Sequence, residues 1–260
     1  MSTQRMPSLF VGHGSPMNAI EDNRWSRAFL ELAGDLPKPR AILAISAHWF
    51  VRGTFVTSQA NPPTIHDFGG FPAELFAKQY PAPGSAELVA RVGTLLGDRG
   101  TPRDDWGLDH GTWTVLEYLY PDADVPVVQL SLDATLPAER HLEIGRRLAP
   151  LRDEGVLLFG TGNVTHNLRH AFQSMRSGDT ATPDWAARFD ADVKSATEQR
   201  DGAALARMLT SDDGRLSHPT PDHYLPLLYV VGAAQADEPL VHPITGFDLG
   251  SLSMRTSRFG

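Results

Sequence analysis

Four short apolar stretches, Ser8–Val11, Ala41–Ser46, Val125–Leu130 and Val156–Phe159, stand out because they are rich in aliphatic and β-branched residues and bounded by Pro or Gly. Runs of that length without polar alternation suit strands buried on both faces. Between them the apolar positions change to helical spacing over Trp25–Leu32, Ala86–Leu96, Trp113–Leu119 and Pro137–Leu148. Strand and helix alternating at this interval predict an α/β fold with a mainly parallel central sheet covered on both faces. The expectation is a single three-layer αβα domain over residues 1–260.

The rest of the pattern adds detail. Gly53–Ser58 alternates like a strand and is expected to add an antiparallel one, while Trp185–Thr197 and Ala203–Leu209 read as further helices. Asn61–Pro72, with three Pro and two Gly, is expected to form a long ordered loop suited to substrate contacts. Thr220-Pro221-Asp222 before the apolar run Leu225–Val231 has the order of N-cap, proline and acid that starts a helix. That places His223 at a helix N-terminus, with the charge of Asp222 favouring the same end. The alternating tail Phe247–Thr256 is expected to return to the sheet as a strand.

Charge and composition then narrow the function. The 23 Lys+Arg against 31 Asp+Glu leave a net charge of −8 with no basic block. An electrostatic footprint for nucleic acid or an anionic membrane is therefore missing, and a small-molecule substrate is favoured. The chain has no cysteine, so any metal must be held by His, Asp or Glu. Met1–Pro7 has no signal-peptide pattern and no apolar run approaches the ~20 residues that span a bilayer, so a cytoplasmic location is expected.

The candidate chemistry lies where strands end. The first strand runs into Gly12-His13-Gly14-Ser15, the second into Ser46-Ala47-His48-Trp49 and the fourth into Gly160-Thr161-Gly162-Asn163-Val164-Thr165-His166. In open parallel sheets ligands bind beyond the carboxyl ends of strands, so His13, His48 and His166 can meet although far apart in sequence. Three imidazoles with open positions beside them suit a catalytic first-row metal, and His223 could complete the set. Taken singly, each is more often a loop residue making hydrogen bonds. His110 could cap the helix that follows it, and His66 could brace its loop. His141, His170, His218 and His242 read as packing or surface residues. Ser15 lacks the Gly-x-Ser-x-Gly elbow of a serine hydrolase.

Six segments together resemble the class III extradiol ring-cleavage dioxygenases, in the 4,5-DOPA extradiol dioxygenase branch. They are Val11–Met17, Ser46–Trp49, His66–Pro72, Leu108–Trp113, Gly160–Leu168 and His218–Pro226, and they run in the family's order. The resemblance implies that His13, His48 and His223 bind the metal. His166 lies against it as a further ligand or as the catalytic base, and His110 touches substrate.

The implied reaction inserts O2 into a catechol-type ring, such as DOPA, next to rather than between its two hydroxyls and opens it to a semialdehyde. The implied cofactor is one divalent non-haem metal ion, Fe(II) for turnover or Zn(II) as found bound; the partners are the catechol and O2. His66, Phe68 and Phe71 are expected to contact the substrate from their loop. At six-coordination a bidentate catechol and O2 need three positions, so His166 is expected to leave the metal during turnover. The competing readings are a zinc-dependent hydrolase using the same histidines and a binding protein without turnover.

Overall fold

The computed structural model describes residues 5–260. The strands are β1 (Ser8–Gly12), β2 (Ala41–Val51), β3 (Phe55–Thr57), β4 (Thr101–Arg103), β5 (Val127–Asp133), β6 (Val156–Gly162), β7 (Leu240–Val241), β8 (Phe247–Asp248), β9 (Leu252–Ser253) and β10 (Ser257–Phe259). Eight of them form one sheet in the order β4-β3-β5-β2-β6-β1-β10-β7. Its centre, β5-β2-β6-β1, is parallel throughout. β3 pairs antiparallel to β5, as its alternating pattern predicts, while β10 and β7 close the other edge antiparallel.

The four central strands are the four apolar stretches, and each sends alternate residues into two different cores. Phe10, Leu43, Ile45 and Leu158 face one core with the helices Ala86–Leu96, Ala138–Leu148 and Leu225–Ala233. Leu9, Val11, Ile42, Ala44, Leu157 and Phe159 face the other, with the helices Arg24–Gly34 and His110–Leu119. A strand with no polar face must be covered twice, which yields the three-layer α/β architecture.

Three elements differ from the sequence reading. The late helix begins at Leu225, not at Pro221, because the Pro221 carbonyl accepts the Tyr224 and Leu225 N–H groups (3.0 and 3.2 Å) and closes a separate turn over 221–224. The helix expected from Trp113 begins at His110, with Asp109 as its cap through a bond from Thr112 N–H. The tail does not run back as one strand. Leu249 and Gly250 both adopt positive φ (46° and 73°), which reverses the chain into a β8–β9 hairpin, and only Ser257–Phe259 joins the main sheet. No described helix is long and apolar enough to cross a membrane.

Candidate active site

Around the carboxyl ends of β1, β2 and β6 the imidazoles of His13, His48, His110, His166 and His223 gather about one cavity, His48 from within the last residues of β2. Register explains the first of them. Thr161 on β6 lies level with Val11 of β1 and Ser46 of β2, so the residues just beyond both neighbours reach the same point. The backbone N–H of His13 continues the ladder to the Gly162 carbonyl (3.0 Å), and the Asn18 amide holds the His13 carbonyl (3.0 Å). His48 follows Ile45, where the β2–β5 register shifts before resuming at Phe50. Such irregularities re-aim side chains next to sites.

Each of three rings is anchored on one nitrogen. The Thr161 hydroxyl donates to the Gly111 carbonyl (2.6 Å), so its oxygen must accept from His13 Nδ1–H (2.9 Å). The His13 Nε2 lone pair then faces His48 Nε2 at 3.2 Å. His48 Nδ1 is 3.2 Å from Asp67 Oδ2, and His223 Nδ1 meets the Asp222 carboxylate. His223 Nε2 is buried with no partner among the described residues. Fixing Nδ1 with an oxygen while Nε2 keeps its lone pair is how histidine metal ligands are oriented, and the orphaned nitrogen fits a cation.

The nitrogens of His13, His48 and His110 lie within 4.8 Å of one another, a spacing that could hold an ion. The His223 ring is 5.0 Å from His48 and 5.3 Å from His13, centroid to centroid. Burial, and then the neighbouring imidazoles, push the pKa of His13 and His223 well below the ordinary value. Burial also lowers His48, which His110 reinforces and Asp67 opposes. For Asp67 burial pulls upward, but the hydrogen bond and charge of His110 and the charge of His48 bring its carboxyl down to about 2. His13, His48 and His223 are therefore neutral imidazoles at neutral pH, with the ionised Asp67 carboxylate beside His48.

His166 lies flat against His223, with ring centroids 3.4 Å apart and planes within 3°. Its backbone is held by the Ser217 carbonyl (3.0 Å) and by a bridge to Leu252. Burial brings this imidazole to about 3. His110 opens its helix with Nδ1 3.0 Å from Asp67 Oδ2 and its ring centroid 3.9 Å from that of His48.

The cavity encloses about 450 Å³, within the range for a small ligand. Phe68 and Phe71 form one wall, their rings 5.3 Å apart and Phe68 5.4 Å from His110, with Gly69 and Gly70 between them. His66, expected at the substrate, does not line the cavity. Its Nε2 bonds the Lys78 carbonyl (3.0 Å) and its ring packs against Phe68 and Trp113, so it braces the wall instead. Asp222, expected to serve the helix end, instead holds His223. His141 bonds the Tyr229 hydroxyl (2.9 Å) and His218 the Val164 carbonyl (2.7 Å), both away from the cavity.

Sequence reading missed the supports: Asp67, which serves two histidines, and Thr161, which serves one. Asp67 sat within a segment already singled out, but nothing in a linear pattern shows which side chain a loop acid meets. Gly111 was likewise overlooked. A Cβ there would come within 2.8 Å of His48 Cδ2 and 3.3 Å of His13 Cε1, so only glycine lets the rings approach.

A family model described as the catalytic LigB subunit of aromatic ring-opening dioxygenase matches residues 10–250. A 4,5-DOPA dioxygenase extradiol of Escherichia coli K12 is 50% identical across 100% of this chain and 97% of its own length. One of Beta vulgaris bearing the same name is 38% identical over 97% of this chain and 96% of its own. A crystal structure of an uncharacterised Escherichia coli K12 protein superposes with a TM-score of 0.86 at 46% identity, covering 98% of this chain and 100% of that one.

Proposed function

The chain belongs to the LigB family of aromatic ring-opening dioxygenases, and we propose that it opens a catechol-type ring, such as that of DOPA, to a semialdehyde. It is an extradiol dioxygenase, so O2 is the co-substrate and the bond broken lies beside the two hydroxyls. We assign His13, His48 and His223 as the ligands of one divalent non-haem ion, Fe(II) for turnover, with Zn(II) able to occupy the same nitrogens. The observation that carries this assignment is the one-sided anchoring: Nδ1 of His13, His48 and His223 meets Thr161, Asp67 and Asp222, while the Nε2 atoms of His13 and His48 face each other at 3.2 Å and that of His223 is buried without a partner among the described residues. An ion bound there would supply charge that eases deprotonation of the catechol and a redox route to O2.

The protein's own groups do the rest. His166, kept neutral by burial, stacked on His223 and lining the cavity, takes the proton of a substrate hydroxyl. His110, oriented by Asp67, faces the cavity and hydrogen-bonds the substrate. Phe68 and Phe71 pack on the flat ring and exclude water from it.

The test is O2 uptake by Fe(II)-loaded protein with catechols, together with growth of the yellow ring-opened product. His166→Ala should keep stoichiometric iron yet lose roughly 10²–10⁴ in turnover, the span for an acid–base group. Near-normal turnover would remove His166 from the mechanism and turn attention to His110.

A further inference from the structure

His166 has to meet a substrate hydroxyl, yet the strand that leads to it ends at Gly162. The residues between them, Asn163, Val164 and Thr165, are completely buried although two are polar. The Thr165 hydroxyl donates to the carbonyl of Ser251, in the turn of the β8–β9 hairpin (2.8 Å), and accepts the Ser253 N–H (3.0 Å). In return the Ser251 hydroxyl donates to the Asn167 carbonyl (3.0 Å). The two bonds therefore fall on the residues either side of His166 and run in opposite directions between the same two segments. His166 itself is bridged to Leu252 between them.

The hairpin is a fixed reference for these bonds. Asn163 Nδ2 donates to the Ser253 carbonyl (2.9 Å), and Asp190 accepts from the Ser253 hydroxyl (2.6 Å). The same hairpin supplies Leu249 and Leu252 to the cavity wall. Thr165 and Ser251 are both buried and neither lines the cavity, so they act on the reaction only through what they hold.

We infer that Thr165 and Ser251 are positioning residues for the base: their reciprocal hydroxyl bonds pin the backbone on both sides of His166 to the hairpin, which sets the imidazole against the wall where the substrate ring lies. This rests on the reading of His166 as the base. A grip on the backbone leaves the imidazole free to turn about its own side-chain bonds while its point of attachment stays in place. Misplacing a catalytic group by about 1 Å costs up to roughly 10²-fold in rate, so loosening the grip slows turnover rather than binding.

The experiment measures O2 uptake with L-DOPA by Fe(II)-loaded protein. Thr165→Val keeps the shape and removes the hydroxyl, and it should lower kcat roughly 10- to 100-fold while KM and iron content stay within about twofold. Thr165→Ser keeps the donor and acceptor and should restore most of kcat. In metal-free protein, hydrogen exchange over 164–167 and 250–253 should quicken together in Thr165→Val and in Ser251→Ala. Thr197→Val removes a buried hydroxyl that serves only its own helix, and it should change neither kcat nor this exchange. Unchanged kcat in Thr165→Val would overturn the inference, as would a Thr165→Ser variant equally slow, since the hydroxyl would then not be the cause. Iron content falling in step with kcat would overturn it too, because the bonds would then serve the metal. If Thr165→Val does not fold, Ser251→Ala applies the same criteria from the other side of the clamp. Near-normal turnover by His166→Ala would instead overturn the reading of the base, and this inference with it.

Discussion

The site depends on side chains that touch no substrate. Thr161 can orient His13 only because its own proton is committed to Gly111, and Asp222 sits next in sequence to the imidazole it holds. Partners of this kind are typically worth about 10–100-fold in metal affinity, so Asp222→Asn should weaken iron binding by that factor. His223→Ala should abolish stoichiometric binding, and the two are separated by titrating metal into apo-protein under anaerobic conditions. A reversed ranking would make the carboxylate the ligand. Gly111→Ala would place a methyl 2.8 Å from both His48 Cδ2 and Ser46 Oγ. The expected result is a loss of about 1–3 kcal/mol in stability together with reduced iron occupancy, read by chemical denaturation and metal analysis of the same preparation.

Among the elements, the loop through His66–Pro72 and the C-terminal hairpin shape the cavity from two sides. Phe68 packs on Phe71, Phe76 and His110, with His66 behind it. Removing one aromatic contact of about 0.5–1.5 kcal/mol should raise KM for catechols roughly 2- to 10-fold in Phe68→Ala while kcat changes less. An unchanged KM for every catechol would make the loop a structural turn. The hairpin reaches the site through Leu249, Leu252 and the Leu252–His166 bridge. It is tied to the helix Asp184–Glu198 by Asp190, which accepts from Ser253 Oγ (2.6 Å) and Arg255 Nε (3.0 Å) in a buried pair. Deleting one member of a buried pair strands the other charge, so Asp190→Ala should cost about 3–5 kcal/mol in a urea melt.

On the scale of the whole molecule, the buried histidines make the fold sensitive to acid. His141 and His218 are each lowered from 6.5 to about 4, first by burial, so both fold as neutral rings. Below about 6.5 the unfolded chain binds more protons than the native one, and stability falls as the pH drops toward 4. Each of the two removes on the order of 3 kcal/mol across that window, with full stability retained above it. Melting temperatures of apo-protein at pH 7.5, 6 and 5 check this, and a flat profile would refute it. The layered architecture was legible in the chain because a continuous apolar stretch such as Ala41–Ser46 has no polar face to give to water and must be covered twice. The strand ends could be read for the same reason, since polar residues such as His13 and His48 appear where the apolar run of sequence stops. The hairpin at Leu249–Gly250, the turn over 221–224, the placing of His66 behind Phe68 and the pairing of Asp67 with two imidazoles were decided only in three dimensions. Hydrophobicity is a property each residue carries into any fold, whereas a hydrogen-bond partner or a backbone reversal depends on what the folded chain brings beside it.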